Sequence, residues 1–180
     1  MRLRPLREAD EPLFQALYTD AQTMRFVGDP WTPAEAARRF RAILSRRETL
    51  VSTDRFLVIE EKSSREPMGI CGSSHYDRAG MRVEVGVMLL PQGRRLGVGR
   101  AALGALVDYM FQEPSLLEVY ARVAIENSAA RNLVTRVGFR QSRAAEGNKQ
   151  GTLTCEWSVH RSQWNMSQTT NNGIADVQCD

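Results

Sequence analysis

The chain has 180 residues, a formal net charge of +3 and a hydrophobic fraction of 42%. This length predicts one domain with a sizeable core, and the ordinary composition excludes collagen-like, low-complexity and disulfide-rich classes. The small excess of positive charge is too mild to indicate nucleic-acid binding by itself.

The first ten residues, MRLRPLREAD, lack the apolar segment of a signal peptide, and the sequence contains no run of eighteen apolar residues. We therefore expect a cytoplasmic protein with no membrane partner. Cys71, Cys155 and Cys179 show no C-x-x-C spacing, and His75 and His160 are far apart, so we expect neither a disulfide framework nor a metal site.

The first part of the chain predicts a short strand followed by two helices. LRPL is typical of a strand, and Leu13, Phe14 and Leu17 recur at helical spacing in the segment that follows. Thr32 and Glu35 predict a capping box at the start of the second helix. The arginines of that helix favour a solvated face over a nucleic-acid patch, because no aromatic residues alternate with them.

Three β-rich runs, RFLVIEE, PMGICGSSHY and MRVEVGVMLL, are separated by turn residues and predict an antiparallel meander. A helix in GVGRAALGALVDYMFQ, a strand in SLLEVYARVA, a helix capped by Asn127 and a final strand in TLTCEWSVH follow. This order predicts a single α/β (α+β) domain over residues 1–160. The polar segment 161–180 predicts a mobile tail in which Trp164 and Ile174 are the residues able to dock.

The stretch RRLGVGRAAL combines two glycines with three arginines at the start of a helix. Glycines let backbone N–H groups approach a ligand closely, and the first turn of a helix offers unpaired donors with partial positive charge. Arg94, Arg95 and Arg100 would add charge-assisted hydrogen bonds. The pattern favours a phosphate-bearing ligand over a merely structural tight loop.

Two phosphate-binding motifs fit this stretch poorly. The nucleotide-hydrolysing P-loop is excluded, because no Gly-Lys-Ser/Thr occurs at the required spacing. The sequence GVGRAA matches the dinucleotide fingerprint, but Gly97 lies seven residues after Leu90, whereas that fingerprint follows its strand at once. Glu118 also falls at the beginning of the next strand instead of its end.

The run EVGVMLLPQGRRLGVGRAALGALVDYM resembles the acetyl-CoA-binding segment of the GNAT superfamily of N-acetyltransferases, whose signature falls on Arg94, Gly97 and Gly99. The run ENSAARNLVTRVGFR is similar to the second half of that family, with Asn127 after a strand and a Gly-Phe pair after the next helix. The resemblance covers Arg2–His160. EVGVML and ENSAA are closest in pattern to the branch of ribosomal-protein N-terminal acetyltransferase-like enzymes.

The resemblance implies a mixed, mostly antiparallel sheet of six to seven strands with helices on both faces. It also implies direct transfer of acetyl from acetyl-CoA to a primary amine, on a small molecule or a protein N-terminus, by a monomer or homodimer without nucleic-acid partners. Backbone groups would bind the pantetheine arm of acetyl-CoA, and the glycine-containing loop would bind its pyrophosphate. The residues so assigned to coenzyme A are Val87, Met88, Leu89, Arg94, Arg95, Leu96, Gly97, Val98, Gly99, Arg100 and Asn127.

Catalysis of this kind needs a base, because an alkylammonium with a pKa near 10 is not a nucleophile at neutral pH. The resemblance assigns that role to Glu84, with His75 as a second candidate. The departing thiolate would be assisted by Asn127, Ser128 or water, since Val134 and Ala130 stand where relatives carry a tyrosine and a serine. These two replacements leave two alternatives open: an acyl-CoA-binding module with altered catalysis, and a transferase that uses another acyl donor.

Overall fold

The computed structural model describes residues 1–47, 54–94, 97–147 and 152–168. Its strands are β1 (Arg2–Pro5), β2 (Arg55–Glu60), β3 (Pro67–Asp77), β4 (Arg82–Leu89), β5 (Glu118–Ala124), β6 (Arg140–Gly147) and β7 (Leu153–His160). Its α-helices are α1 (Glu11–Tyr18), α2 (Ala21–Met24), α3 (Pro33–Arg47), α4 (Val98–Met110), α5 (Ser128–Val137) and α6 (Arg161–Gln168). None of these described helices is both long enough and apolar enough to cross a membrane.

The described strands form one seven-stranded sheet in the order β1-β2-β3-β4-β5-β7-β6. Neighbouring strands are antiparallel except β4 and β5, which are parallel and are joined through α4. A parallel connection of this kind needs a crossover element, and the helical period after Pro91 supplies it. The predicted mixed, mostly antiparallel sheet with a meander in its first half is confirmed.

The sheet opens between its two parallel strands. β4 and β5 pair only at Arg82–Glu118, Val83–Val119 and Glu84–Tyr120. Beyond Glu84, β4 continues to Leu89 and β5 to Ala124, but the two strands no longer pair. The two strands therefore diverge into a wedge-shaped cleft whose apex lies at Glu84.

Two apolar cores lie on opposite faces of the sheet, because successive side chains of a strand point to opposite faces. Leu57 and Ile59 of β2 belong to the core that α4 covers. Val58, between them, packs instead in the second core with Phe14 of α1 and Phe40 of α3. Helices therefore cover both faces of the sheet, as expected.

The predicted helix caps are present. At the start of α3 the carboxylate of Glu35 accepts a hydrogen bond from the Thr32 amide at 2.9 Å, and the Thr32 hydroxyl accepts one from the Glu35 amide at 3.3 Å. At the start of α5 the Asn127 side chain accepts a hydrogen bond from the Ala130 amide at 3.0 Å. Side-chain oxygens thus satisfy amides that have no partner within the helix.

The beginning of the segment expected to be a mobile tail is helical and packed. Trp164 of α6 is 5% exposed, and its indole Nε1 donates to Asp108 Oδ1 of α4 at 2.7 Å. The Arg161 guanidinium donates to the carbonyl oxygens of Phe111 and Leu116 at 2.6 and 2.8 Å. Residues 169–180, including Ile174 and Cys179, lie outside the described residues, so the boundary of the domain at 160 stays a prediction.

We expect Trp164→Ala to lower the free energy of unfolding by about 3–5 kcal/mol, because it removes a large buried side chain. Trp164→Phe should lower the free energy of unfolding by on the order of 1 kcal/mol beyond the loss caused by the smaller side chain, because it also deletes the hydrogen bond to Asp108. Urea unfolding followed by circular dichroism measures both values. A loss below about 1 kcal/mol for Trp164→Ala would mean that α6 does not contribute to the fold.

Candidate active site

The cleft between β4 and β5 encloses a cavity of about 340 Å³. Side chains from both strands and from α1, α4 and α5 line it. Four residues predicted from the sequence, Glu84, Val87, Met88 and Asn127, are among those lining residues. The structure therefore brings the predicted catalytic pair and part of the predicted pantetheine site to one place.

Beyond Glu84, the edge of β4 presents backbone groups to the cleft. The Leu90 amide donates to the Met68 carbonyl of β3 at 2.9 Å. Because hydrogen-bonding directions alternate along an antiparallel strand, Met88 also pairs with β3, whereas Val87 and Leu89 face the other edge. Val87 thus offers its backbone groups and Leu89 its amide for pantetheine, since the Leu89 carbonyl accepts a hydrogen bond from Arg94, and Met88 contributes its side chain instead.

The two glycines of the predicted pyrophosphate loop differ in their backbone conformation and in their surroundings. Gly97 is the N-cap of α4 at φ 92°, a left-handed conformation that favours glycine. Gly99 is buried in the first turn, where an added Cβ would lie 3.4 Å from Leu89 and 3.5 Å from Leu133. Gly97 therefore shapes the turn, whereas a Cβ at residue 99 would make only ordinary van der Waals contacts, and the first amides of α4 stay available to an anion.

The cationic residues of this loop have separate positions. Arg94 is exposed, and its guanidinium donates to the Leu89 carbonyl at 3.2 Å and to the Thr23 hydroxyl at 2.9 Å. Arg100 is exposed in the first turn of α4. Arg95 and Leu96 lie outside the described residues, so their predicted roles stay predictions.

A cluster of three charged or titratable side chains stands at the apex of the cleft. Nε of Arg122, on β5, lies 3.1 and 3.0 Å from the two carboxylate oxygens of Glu84, and Nη2 also contacts Oε2. His75 Nδ1 lies 3.3 Å from Oε2. The ion pair with Glu84 raises the pKa of Arg122. The carboxylate predicted to act as the base is thus also the ion-pair partner of Arg122.

Asn127 and the two unusual residues of the second motif line the same cleft. Asn127 Oδ1 is used as the cap of α5, which leaves its side-chain amide nitrogen as a donor. Val134 is buried and Ala130 half-buried, and both are lining residues. Neither side chain carries a proton to donate, so Asn127 is the polar group that α5 brings to this wall.

Sequence reasoning missed several residues that shape the site. Arg122 comes 38 positions after Glu84, and Thr23 comes 71 positions before Arg94, so no local pattern links these pairs. Tyr18 of α1 also lines the cleft, and burial raises its pKa to about 12, so it remains a neutral hydroxyl at physiological pH. The helical period of α1 predicted burial near this position but not its contact with the cleft.

The family model described as "Acetyltransferase (GNAT) domain" matches residues 1–140. The chain belongs to the GNAT acetyltransferase family. It is therefore an acyltransferase of the N-acetyltransferase type, with acetyl-CoA as its co-substrate. Among the residues that the structure describes, no three His, Cys, Asp or Glu side chains are grouped so that they could hold a metal ion.

Three comparisons place this GNAT chain among known proteins. It is 24% identical over 142 residues to an uncharacterised N-acetyltransferase, p20, of Bacillus licheniformis, across 78% of this chain and 79% of the relative. The spermidine N-acetyltransferase from Vibrio cholerae in complex with CoA and spermine matches with a TM-score of 0.78 and 18% identity, covering 91% of this chain and 96% of that chain.

An aminoglycoside acetyltransferase in complex with coenzyme A matches with a TM-score of 0.76 and 14% identity, covering 93% of this chain and 98% of that chain. At these identities the solved structures show the shared fold. The overall fold is thus common to this chain and to two enzymes whose structures contain coenzyme A.

Proposed function

We propose that this GNAT enzyme transfers acetyl from acetyl-CoA directly to a primary amine inside the cleft between β4 and β5. The observation that carries the proposal is the loss of β4–β5 pairing immediately after Glu84. It places a carboxylate next to backbone groups that have no strand partner in the described sheet. Such groups can bind an amide-containing arm as a neighbouring strand would.

On the donor side, the edge of β4 at Val87 and Leu89 would bind the pantetheine arm. A β4 amide directed at the thioester carbonyl would stabilise the negative charge that develops on its oxygen. The first amides of α4, from Val98 to Arg100, would bind the pyrophosphate, with Arg94 and Arg100 near it. The turn at Gly97 supports this assignment, because this N-cap residue has no side chain that could occupy the first amides of α4.

On the acceptor side, the carboxylate of Glu84 would accept a proton from the amine, directly or through a water. The neutral nitrogen then attacks the thioester carbon, so that a C–N bond forms and the C–S bond breaks. Oε1 of Glu84 has one contact with Arg122, whereas Oε2 has two and a further one with His75, so Oε1 has the larger remaining capacity to accept a hydrogen bond. Arg122 and His75 would hold this carboxylate at the apex of the cleft.

The departing thiolate needs a proton or a donor. The amide nitrogen of Asn127 is suited to donate a hydrogen bond to it, and the proton itself would come from water or from the amide nitrogen of the reacting acceptor. The alternative of a binding module with altered catalysis predicts coenzyme A binding without turnover. Because two of the structural neighbours are named for spermidine and aminoglycosides, small amines are the first acceptors to test.

Acetyl-CoA should raise the melting temperature of the protein, because a ligand that binds only the folded state stabilises it. At a concentration 100 times its Kd the stabilisation is about 2.7 kcal/mol. Thermal unfolding with and without acetyl-CoA measures the shift, and release of the free thiol with a panel of amines measures turnover. An unchanged melting temperature at saturating acetyl-CoA would contradict the proposal, and binding without thiol release would support the altered module.

A further inference from the structure

The part of the cleft that faces α1 and the segment after α2 is formed by aromatic and aliphatic side chains. Met88, on the same strand face as Glu84, packs against the core that contains α1, which shows that this face is turned toward α1. Tyr18, Phe26, Val27 and Phe56 line the cleft on this side. We call these four residues the acceptor wall.

Beside the acceptor wall, the surface of the cleft is formed by the backbone of two glycines, Gly72 and Gly86. Phe56, Gly72 and Gly86 are register partners across β2, β3 and β4. A Cβ at Gly72 would collide with the backbone oxygen of Arg55, so packing requires glycine there. A Cβ at Gly86 would meet nothing within 4 Å, and Gly86 has no positive φ. Packing of the described residues does not require glycine at position 86, which instead leaves space open in the cleft.

The electrostatics of this region favour an acceptor with a single positive charge. Glu84 is the one carboxylate among the described residues that line the cleft, and Arg122 and His75 contact it. A second ammonium group against the acceptor wall would lose its hydration without gaining a second carboxylate from the described lining residues, which is costly.

The aromatic rings of the wall do not compensate for this lack of carboxylates. The Tyr18 ring stacks on Phe14 and on Trp31, each with 4.3 Å between ring centroids, so neighbouring rings already cover part of its surface. The Arg25 guanidinium lies 5.0 Å from the centroid of Phe26. Ring stacking on Tyr18 and the Arg25 guanidinium beside Phe26 therefore reduce the ring surface open to a second ammonium, and Arg25 adds repulsion.

We infer that the acceptor is a primary amine attached to a compact, uncharged aromatic or aliphatic group, which packs on Gly86 between the acceptor wall and Met88. This inference rests on the proposed function and specifies its substrate class. A free monoamine and the amino terminus of a peptide with an apolar first residue share this chemistry. Polyamines and aminoglycosides do not, because they carry further cations.

The first test compares 2-phenylethylamine, isoamylamine, a short peptide beginning with phenylalanine, spermidine and an aminoglycoside by thiol release from acetyl-CoA. At least one of the first three should show kcat/KM about tenfold or more above that of spermidine. The monoamines and the peptide distinguish the two sources of the same chemistry. Preference for spermidine or the aminoglycoside would overturn the inference and leave the proposed function intact, whereas no turnover of any amine would count against the proposed function.

Two substitutions, Gly86→Val and Val27→Glu, test which residues determine the acceptor specificity. Gly86→Val should lower kcat/KM for the preferred amine about tenfold or more while acetyl-CoA still raises the melting temperature, because the added side chain fills acceptor space. Gly147→Val, at another strand glycine with nothing within 4 Å of its Cβ, is the matched control and should leave both values unchanged. Equal kcat/KM values for Gly86→Val and for Gly147→Val would overturn the placement of the acceptor on Gly86.

Val27→Glu adds a carboxylate to the acceptor wall at a side chain that is 53% exposed and therefore tolerant of substitution. It should raise the ratio of kcat/KM for spermidine to that for 2-phenylethylamine, about tenfold for a new close charge pair. Val27→Gln is the uncharged control of the same length. A ratio that stays constant, or that rises equally in both variants, would contradict the role of charge at this wall.

Discussion

Gly97→Val should abolish the stabilisation of the protein by acetyl-CoA. Residue 97 adopts φ 92° as the N-cap of α4, and a β-branched side chain strongly disfavours this region. The strain alone should lower the free energy of unfolding by about 1–3 kcal/mol. A shift of the turn toward negative φ would redirect the first amides of α4 and so remove the proposed pyrophosphate site. Thermal unfolding with and without acetyl-CoA measures both effects.

Gly104→Ala is the matched control on the same helix. Gly104 lies inside α4, and a Cβ there would meet nothing within 4 Å. Because alanine favours the helix over glycine, this variant should gain up to about 1 kcal/mol and respond to acetyl-CoA as the parent protein does. A Gly97→Val protein that retains the full acetyl-CoA shift would contradict the placement of the pyrophosphate at this turn.

The local patterns of the sequence predicted most of the fold. The capping box at Thr32, the cap at Asn127 and the glycine turn before α4 each depend on residues within a few positions of one another. Alternation and helical period likewise predicted the order of strands and helices, because they report which face of an element is buried. Each of these features lies within a single helix, strand or turn, so neighbouring residues in the sequence are sufficient to predict it.

The features that the sequence did not predict depend on contacts between distant segments. The ion pair between Arg122 and Glu84 forms because β4 and β5 are parallel neighbours that diverge at this point. The bond from Arg94 to Thr23 joins the glycine loop to α2 in the same long-range way. The helix α6 was missed because its polar sequence shows no apolar period, and the contacts of Trp164 and Arg161 that fix it are with residues about 50 positions earlier in the chain.

Glu84→Gln should lower kcat by about 100-fold or more, because glutamine cannot accept the proton that the amine must lose. The substitution keeps the shape of the side chain and removes its charge. The affinity for acetyl-CoA should stay within about twofold, since the proposed donor contacts come from the backbone of β4 and α4. Steady-state kinetics with a saturating amine and calorimetric titration of acetyl-CoA separate the two effects.

A purely structural role of Glu84 as the partner of Arg122 makes a different prediction. The Arg122 side chain is 49% exposed, and an ion pair so open to solvent is worth about 0.2–1 kcal/mol. A structural role therefore predicts small losses of stability and activity in Glu84→Gln, both reversed when Arg122→Met is added, because the guanidinium no longer lacks its partner. A catalytic role predicts that stability recovers in the double variant while kcat stays low. Recovery of kcat together with stability would show that Glu84 only positions the strands.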